Sequence, residues 1–461
     1  MASDSFNVWR SVLVLRTTRA PWAVRQTSAG DQHGDCEQAR DGPAEKLAGS
    51  APTSMISKSM SALVIQTKKK LLNKRFIAVI LLLVLTALQS QAESPKYNDT
   101  DLVDESGILF WGPEQQVYGF PRIGDLYPTR SIEGKEVPLQ LPVRLSNLDT
   151  FSYSYGGQTH TLESHMQSQR TAGLLVILNG EIKVERYGLE HYAEAPWVSF
   201  SVTKSVVSML FGAAVKDGYI ASIDDPVSDY LPVFANTPYA DVSIKHILQM
   251  ASGVAWNEDY ADPASNIANL PTEEVAGFRY MRDLPRVAKP GAVFNYNTGE
   301  TNIAGAILRK AVGKNLSDYA SEKVFLPGGI SNTANWLLGK PNGKEFAGCR
   351  ISANLRDYGR IGLFALQNFQ ASGPNRPLAS TWMQQSTTPS PSNDGYGFLW
   401  WLTDKGVLSA QGVFGQYIFV DANRDLVIVL QSAWPEAWNT DLENRALSLI
   451  GALADYVFLG E

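Results

Sequence analysis

Cysteine and histidine are scarce in this chain. Among 461 residues there are two cysteines and five histidines. Of the cysteines, Cys36 and Cys349, only Cys349 lies downstream of the targeting segment described below, so the mature chain is expected to form no internal disulfide. His33, His160, His165, His191 and His246 are scattered, and neither a His-Glu-x-x-His nor a cluster with zinc spacing occurs; no metal and no cofactor are expected. A Gly-x-Ser-x-Gly elbow is missing too, which argues against a Ser-His-Asp hydrolase of that type. Charge is modest, with 40 Lys and Arg against 46 Asp and Glu, and nothing basic calls for a nucleic-acid partner. What remains is globular material, 44% hydrophobic, with ample length for a large core.

Residues 1–54 carry no sustained apolar period and read as an unstructured or wrongly assigned extension. Residues 55–92 read as a signal-peptide region. A basic stretch, Lys68 to Arg75, precedes the apolar run Phe76 to Leu88, and small residues close it at Ser90-Gln91-Ala92. That run is too short to span a membrane comfortably, so cleavage after about Ala92 and a periplasmic or secreted location are expected, with an uncleaved signal anchor as the alternative. Residues 93–461 then form one large domain. Its first part, to Thr129, is rich in aromatics and reads as an ordered arm.

Asn179-Gly180 between two β-rich runs, 174–178 and 181–187, predicts a hairpin. Near the C-terminus, Gly395 to Leu402, Gly412 to Val420 and Asp425 to Gln431 read as strands, and Leu442 to Phe458 as a closing amphipathic helix. Strands at both ends with helices between them predict an α/β (α+β) fold, an antiparallel sheet formed by both chain ends with an inserted, mostly helical lobe.

The one Ser-x-x-Lys of the chain, Ser201 to Lys204, opens an almost wholly apolar stretch that is expected to be a helix from Ser199 or Phe200 to Asp217-Gly218. Three residues apart, the hydroxyl and the amine share a face. A desolvated lysine loses pKa and becomes a base for the serine. The same pattern also fits a capping serine followed by a lysine that reaches water. A second candidate is Tyr296, in a polar loop before a helix, where a nearby ammonium would lower the phenol pKa. A third is the glycine-punctuated strand Ser409 to Tyr417.

In this order and spacing the three motifs resemble the serine β-lactamase and penicillin-binding protein superfamily. The look is closest to the class C-related hydrolases of the 6-aminohexanoate-dimer hydrolase and esterase branch, and it covers essentially the whole mature chain. Asp224 to Pro232, Met250 to Pro263, Asn354 to Gly362 and Tyr396 to Trp401 add to it. The resemblance implies that Ser201 is the acylated nucleophile, Lys204 its base and Tyr296 a second proton-transfer group. It also implies an oxyanion hole made by the backbone N–H groups of Ser201 and Val413, the latter on an edge strand. Thr298 stands where an asparagine commonly holds the substrate amide, and Ala410-Gln411-Gly412 replaces Lys-Thr-Gly. Both departures point away from penicillins and toward small esters or amides. Gln411, Gly412, Trp256 and Tyr260 are further substrate-binding candidates, with at most one of Trp400 and Trp401 facing the cleft. Glu258, Asp259 and Asp262 could meet a substrate amine or be merely solvated. Two rival functions stand beside the hydrolase: a β-lactamase or D-alanyl-D-alanine carboxypeptidase, and a non-catalytic ligand-binding module on the same fold. The expected partner is a small molecule, with membrane contact only through the signal peptide.

Overall fold

The computed structural model describes residues 107–331, 333–370, 376–404 and 406–460. The extension at 1–54, the signal-peptide region at 55–92 and the cleavage after Ala92 lie outside the described residues.

Leu174 to Leu178 is apolar at every position, so a strand there must be covered on both faces. It lies in β1 (Thr171–Leu178), all eight residues of which are buried. Leu175 and Ile177 enter one core cluster, and Leu174, Val176 and Leu178 enter another. Asn179 and Gly180 both take positive φ, 53° and 77°, and turn the chain into β2 (Glu181–Tyr187). The other strands come from the far end of the chain: β3 (Trp401–Leu402), β4 (Val407–Gly412), β5 (Gln416–Asp421) and β6 (Leu426–Ser432). The sheet runs in the order β2-β1-β6-β5-β4-β3, antiparallel throughout. Both chain ends therefore build it, as the sequence predicts.

Between β2 and β3 the chain carries α1 (Val202–Lys216), α2 (Thr298–Val312) and α3 (Leu355–Gln370); α4 (Thr440–Leu459) follows the sheet. α3 lies on one sheet face. A Cβ at its Gly359 would stand 2.7 Å from Leu175, and one at Gly362 2.5 Å from Val427, so close approach requires glycine at both positions. On the other face α4 buries Ala446, Leu449, Ile450, Leu453 and Val457.

Two strand expectations are corrected. Of Gly395 to Leu402 only the last two residues are strand, because Gly397 N–H donates to the Trp400 carbonyl and Leu399 is left-handed at φ 60°. The run Gly412 to Val420 is broken by a turn at Phe414-Gly415, with φ 61° and 83°, so that Gly412 ends β4 and Gln416 begins β5. A small antiparallel sheet was not anticipated. Its strands, Thr129–Ser131, Asn335–Leu337, Ile351–Ala353 and Trp197–Val198, are too short to leave a period in the sequence. The last of them leads directly to Ser199, whose N–H donates to the Ile351 carbonyl at 2.8 Å. The described part of the N-terminal arm, from Gly107, buries Ile108, Trp111, Phe120, Ile123 and Leu126.

Candidate active site

Thirteen of the fifteen residues of α1 are buried, so Lys204 at its start, 1% exposed, cannot reach water. The helix begins at Val202, later than predicted, because Phe200 is left-handed at φ 45°. Ser201 precedes the first helical residue, and its side chain caps nothing. It is instead a partner of Lys204 Nζ, 2.9 Å from its Oγ. The capping and snorkelling reading is thereby removed.

Lys204 Nζ has two other neighbours, the Gly348 carbonyl at 2.7 Å and Thr298 Oγ1 at 3.0 Å. Their chemistry fixes the direction of each bond. A carbonyl only accepts, and Thr298 donates its single hydroxyl proton to Glu258 Oε1, so toward Lys204 it too accepts. A neutral amine has two N–H groups and one lone pair. The ammonium donates its third N–H to Ser201 Oγ; once that proton is lost, with the other two N–H groups on Gly348 and Thr298, the lone pair faces the Ser201 hydroxyl. Burial pulls the Lys204 pKa down to about 8, while the charge of Glu258 works in the opposite direction.

Glu258, expected either to meet a substrate amine or to be merely solvated, is instead engaged by the protein's own donors. Its carboxylate accepts from the Trp256 indole N–H, the Tyr260 hydroxyl at 3.0 Å, the Thr298 hydroxyl and the Thr298 backbone N–H at 3.1 Å, the last at the N-terminus of α2. The legible signal is Trp256-x-Glu258-x-Tyr260, an acid between two aromatics that each carry a donor. Trp256 and Tyr260 are thus turned by Glu258. Asp259 and Asp262 are used locally, accepting from the N–H groups of Ala261 at 2.9 Å and Ala264 at 2.8 Å.

Tyr296 presents its ring to Lys204, with Nζ 5.0 Å from the centroid, and stacks on Trp401 at 5.6 Å. Its pKa is raised rather than lowered, which corrects the expectation. Burial dominates, a hydrogen bond with Ser201 counters it, and the charge of Glu258 adds to the rise. Of the paired tryptophans, Trp400 is fully buried and only Trp401 reaches Tyr296.

Val413 lies one residue beyond β4, in the turn, and not on the strand as expected. β3 pairs only with Leu408 and Ser409, leaving the Gly412 end of β4 open on that side. Gly412 packs on the nucleophile turn so closely that a Cβ would stand 2.5 Å from the Ser199 carbonyl oxygen and 3.1 Å from Ser201 N. Gln411 turns its amide toward Ser409 Oγ, to which it donates at 2.9 Å. Among the described residues neither Ser201 N–H nor Val413 N–H has an acceptor. Phe200 and Phe414, next to these two groups, are buried and left-handed, a backbone cost of about 1–3 kcal/mol each. Met250 and Leu399 share this conformation nearby: the Met250 carbonyl accepts from Asn295 N–H, and the Leu399 carbonyl from Ser205 Oγ. No group of three His, Cys, Asp or Glu side chains among the described residues is placed to hold a metal.

Comparison with known proteins gives a family and a fold. A family profile described as Beta-lactamase matches residues 159–451. The 6-aminohexanoate-dimer hydrolase of Paenarthrobacter ureafaciens is 26% identical over 347 residues, 69% of this chain and 86% of that protein. A protein of Escherichia coli K12, provisionally described as a D-alanyl-D-alanine carboxypeptidase, is 26% identical over only 29% of this chain and 32% of its own. In fold, a Bacillus anthracis structure provisionally described as a 6-aminohexanoate-dimer hydrolase superposes with a TM-score of 0.65 at 21% identity, covering 74% of this chain and 94% of that one.

Proposed function

The chain belongs to the beta-lactamase family, and from that premise we propose that it is a serine hydrolase that cleaves a small ester or amide through an acyl-enzyme on Ser201. The observation that carries this reading is the buried amine 2.9 Å from Ser201 Oγ, whose two other neighbours, the Gly348 carbonyl and Thr298 Oγ1, both accept from it. Ser201 Oγ attacks the substrate carbonyl carbon while its proton passes to the Lys204 lone pair. The oxygen that becomes negative is received by the N–H groups of Ser201 and Val413. Tyr296, whose raised pKa keeps the phenol protonated, suits donation to the leaving group. A water then attacks the acyl carbon while giving a proton to the Tyr296 oxygen, and as the acyl–oxygen bond breaks Ser201 takes its proton back from Lys204, which restores all three groups.

Thr298 acts here as a relay between Lys204 and Glu258, not as a substitute for a substrate-binding asparagine. Trp401 stacks on Tyr296, while Trp256 and Tyr260 are engaged by Glu258. The missing lysine at Ala410 and the name of the Paenarthrobacter relative support small-molecule hydrolysis over action on penicillins. Export through the segment at 55–92 belongs to the same reading.

The test is intact-protein mass spectrometry before and after a fluorophosphonate or p-nitrophenyl acetate, with Ser201→Ala as control. An adduct seen only when Ser201 is present is expected. Well-folded protein without an adduct would favour the binding module, and cephalosporin turnover at rates matching ester turnover would favour the β-lactamase.

A further inference from the structure

Phe200 immediately precedes Ser201, and Phe414 immediately follows Val413. Both are left-handed, with φ of 45° and 61°, both are almost fully buried, and their ring centroids lie 5.1 Å apart. A third ring completes the contact. Phe120, with no exposed surface, stands 5.1 Å from Phe200 and 5.3 Å from Phe414, and meets Trp197 edge-on at 5.6 Å. Trp111 stacks behind it at 6.0 Å. Phe120 and Trp111 belong to the N-terminal arm, upstream of the family-matched residues 159–451.

A bulky left-handed residue persists only when its surroundings over-determine it. The backbone around Phe414 is tied down: its N–H donates to the Ala437 carbonyl at 2.7 Å, and its carbonyl accepts from Gln416 Nε2 at 3.0 Å. The Phe200 carbonyl accepts from Arg350 N–H at 3.2 Å. These bonds hold each turn by itself. The rings tie one turn to the other, and Phe120 touches both. The separation of the two turns fixes where their N–H groups converge, and donors to an oxyanion work only within a few tenths of an ångström of the right place.

We propose that Phe120 is a positioning residue, through which the N-terminal arm sets the spacing and aim of the Ser201 and Val413 N–H groups. This rests on the hydrolase reading above, in which those groups form the oxyanion hole. Phe120 is too deeply buried to touch substrate, so its effect is confined to the turns.

The test uses full-chain protein carrying Phe120→Ala or Phe120→Leu, with active sites counted by mass after exhaustive fluorophosphonate labelling. Three quantities are read: kcat and KM for p-nitrophenyl acetate, the inhibition constant of a phenylboronic acid, and the pH profile. Phe120→Ala is expected to lower kcat per labelled site by about 10–100-fold, less than loss of a whole oxyanion donor. Boronate binding, which places an oxygen in the hole, should weaken by a similar factor, while KM stays within about twofold and the acid limb does not move. Phe120→Leu, which keeps an apolar filler between the rings, is expected to lose about 3–10-fold. A folded Phe120→Ala with kcat and boronate affinity within about twofold of wild type overturns the proposal; if that variant does not fold, the same criterion applied to Phe120→Leu decides. Wild-type protein that forms no Ser201 adduct would instead sink the hydrolase reading, a result independent of Phe120.

Discussion

Glu258 and Glu300 both reach the first turn of α2, and they are used in opposite ways. Glu258 divides four donors between its two oxygens, one of them the Thr298 hydroxyl that also accepts from Lys204. Glu300, 1% exposed, takes the Ser252 hydroxyl, Tyr239 OH at 3.2 Å and Asn297 Nδ2 at 3.2 Å all on Oε1. Its Oε2 has no partner among the described residues. Burial pushes the Glu300 pKa up to about 8, the Ser252 and Tyr239 bonds oppose this, and the charge of Glu258 adds to the rise. Two acids, one two residues after Thr298 and the other forty residues before it, thus divide the work. One is wired to the reactive amine; the other is a buried strut that holds Asn297 as the N-cap of α2. Position along the chain does not decide this; the number of donors on each oxygen and the access of water do.

Substitutions at both ends of this division can break it. Lys204→Ala removes the amine that the Glu258 side serves, and acylation at neutral pH is expected to fall about 10³–10⁴-fold in stopped-flow measurements. Acylation at the wild-type rate would leave Glu258 wired to nothing catalytic. Glu258→Gln keeps the shape and removes the charge that holds the Lys204 pKa up. The amine then stays neutral to lower pH, so the acid limb of kcat/KM should move below its wild-type position near 8, with kcat reduced about tenfold. A limb that does not move would uncouple the two groups. Glu300→Gln should leave activity within about threefold and act on stability alone. A carboxyl whose folded pKa is raised binds more protons in the folded state between about 4.5 and 8, so wild-type stability falls as pH rises through that window. The loss is on the order of a few kcal/mol, and glutamine does not share it. Calorimetry at pH 6 and pH 9 should therefore show the variant gaining roughly 5 °C over wild type at the higher pH. Equal melting temperatures at both values would mean that Glu300 is charged throughout.

Local chemistry was the legible part. Asn179-Gly180 announces a left-handed turn, the unbroken apolar run at 174–178 announces a doubly covered strand, and Ser201 stands just before the buried helix that carries Lys204. The site beyond that pair depends on contacts between distant segments. Nothing near Thr298 tells that Glu258, forty residues earlier, will take its hydroxyl proton, or that Gly348 will offer a carbonyl to Lys204. Tyr296 shows the same limit, since a neighbouring cation predicts a lowered pKa while burial, a property of the whole fold, raises it. Val413 was misplaced because Phe414, a residue that rarely turns a chain, adopts φ 61° under the pressure of packed rings.

The antiparallel pairing of β1 with β6 joins strands that begin at Thr171 and Leu426, with the whole helical lobe threaded between them. On a ribosome β1 and β2 emerge long before their neighbour exists. Until then the hairpin exposes the open side of β1, an apolar edge ready to pair with any other strand. Closing a loop of roughly 250 residues is slow, and the reward comes only when the last strand has docked. The chain must therefore be kept apart from its copies during synthesis, and truncation anywhere before β6 should yield aggregate rather than a smaller folded domain.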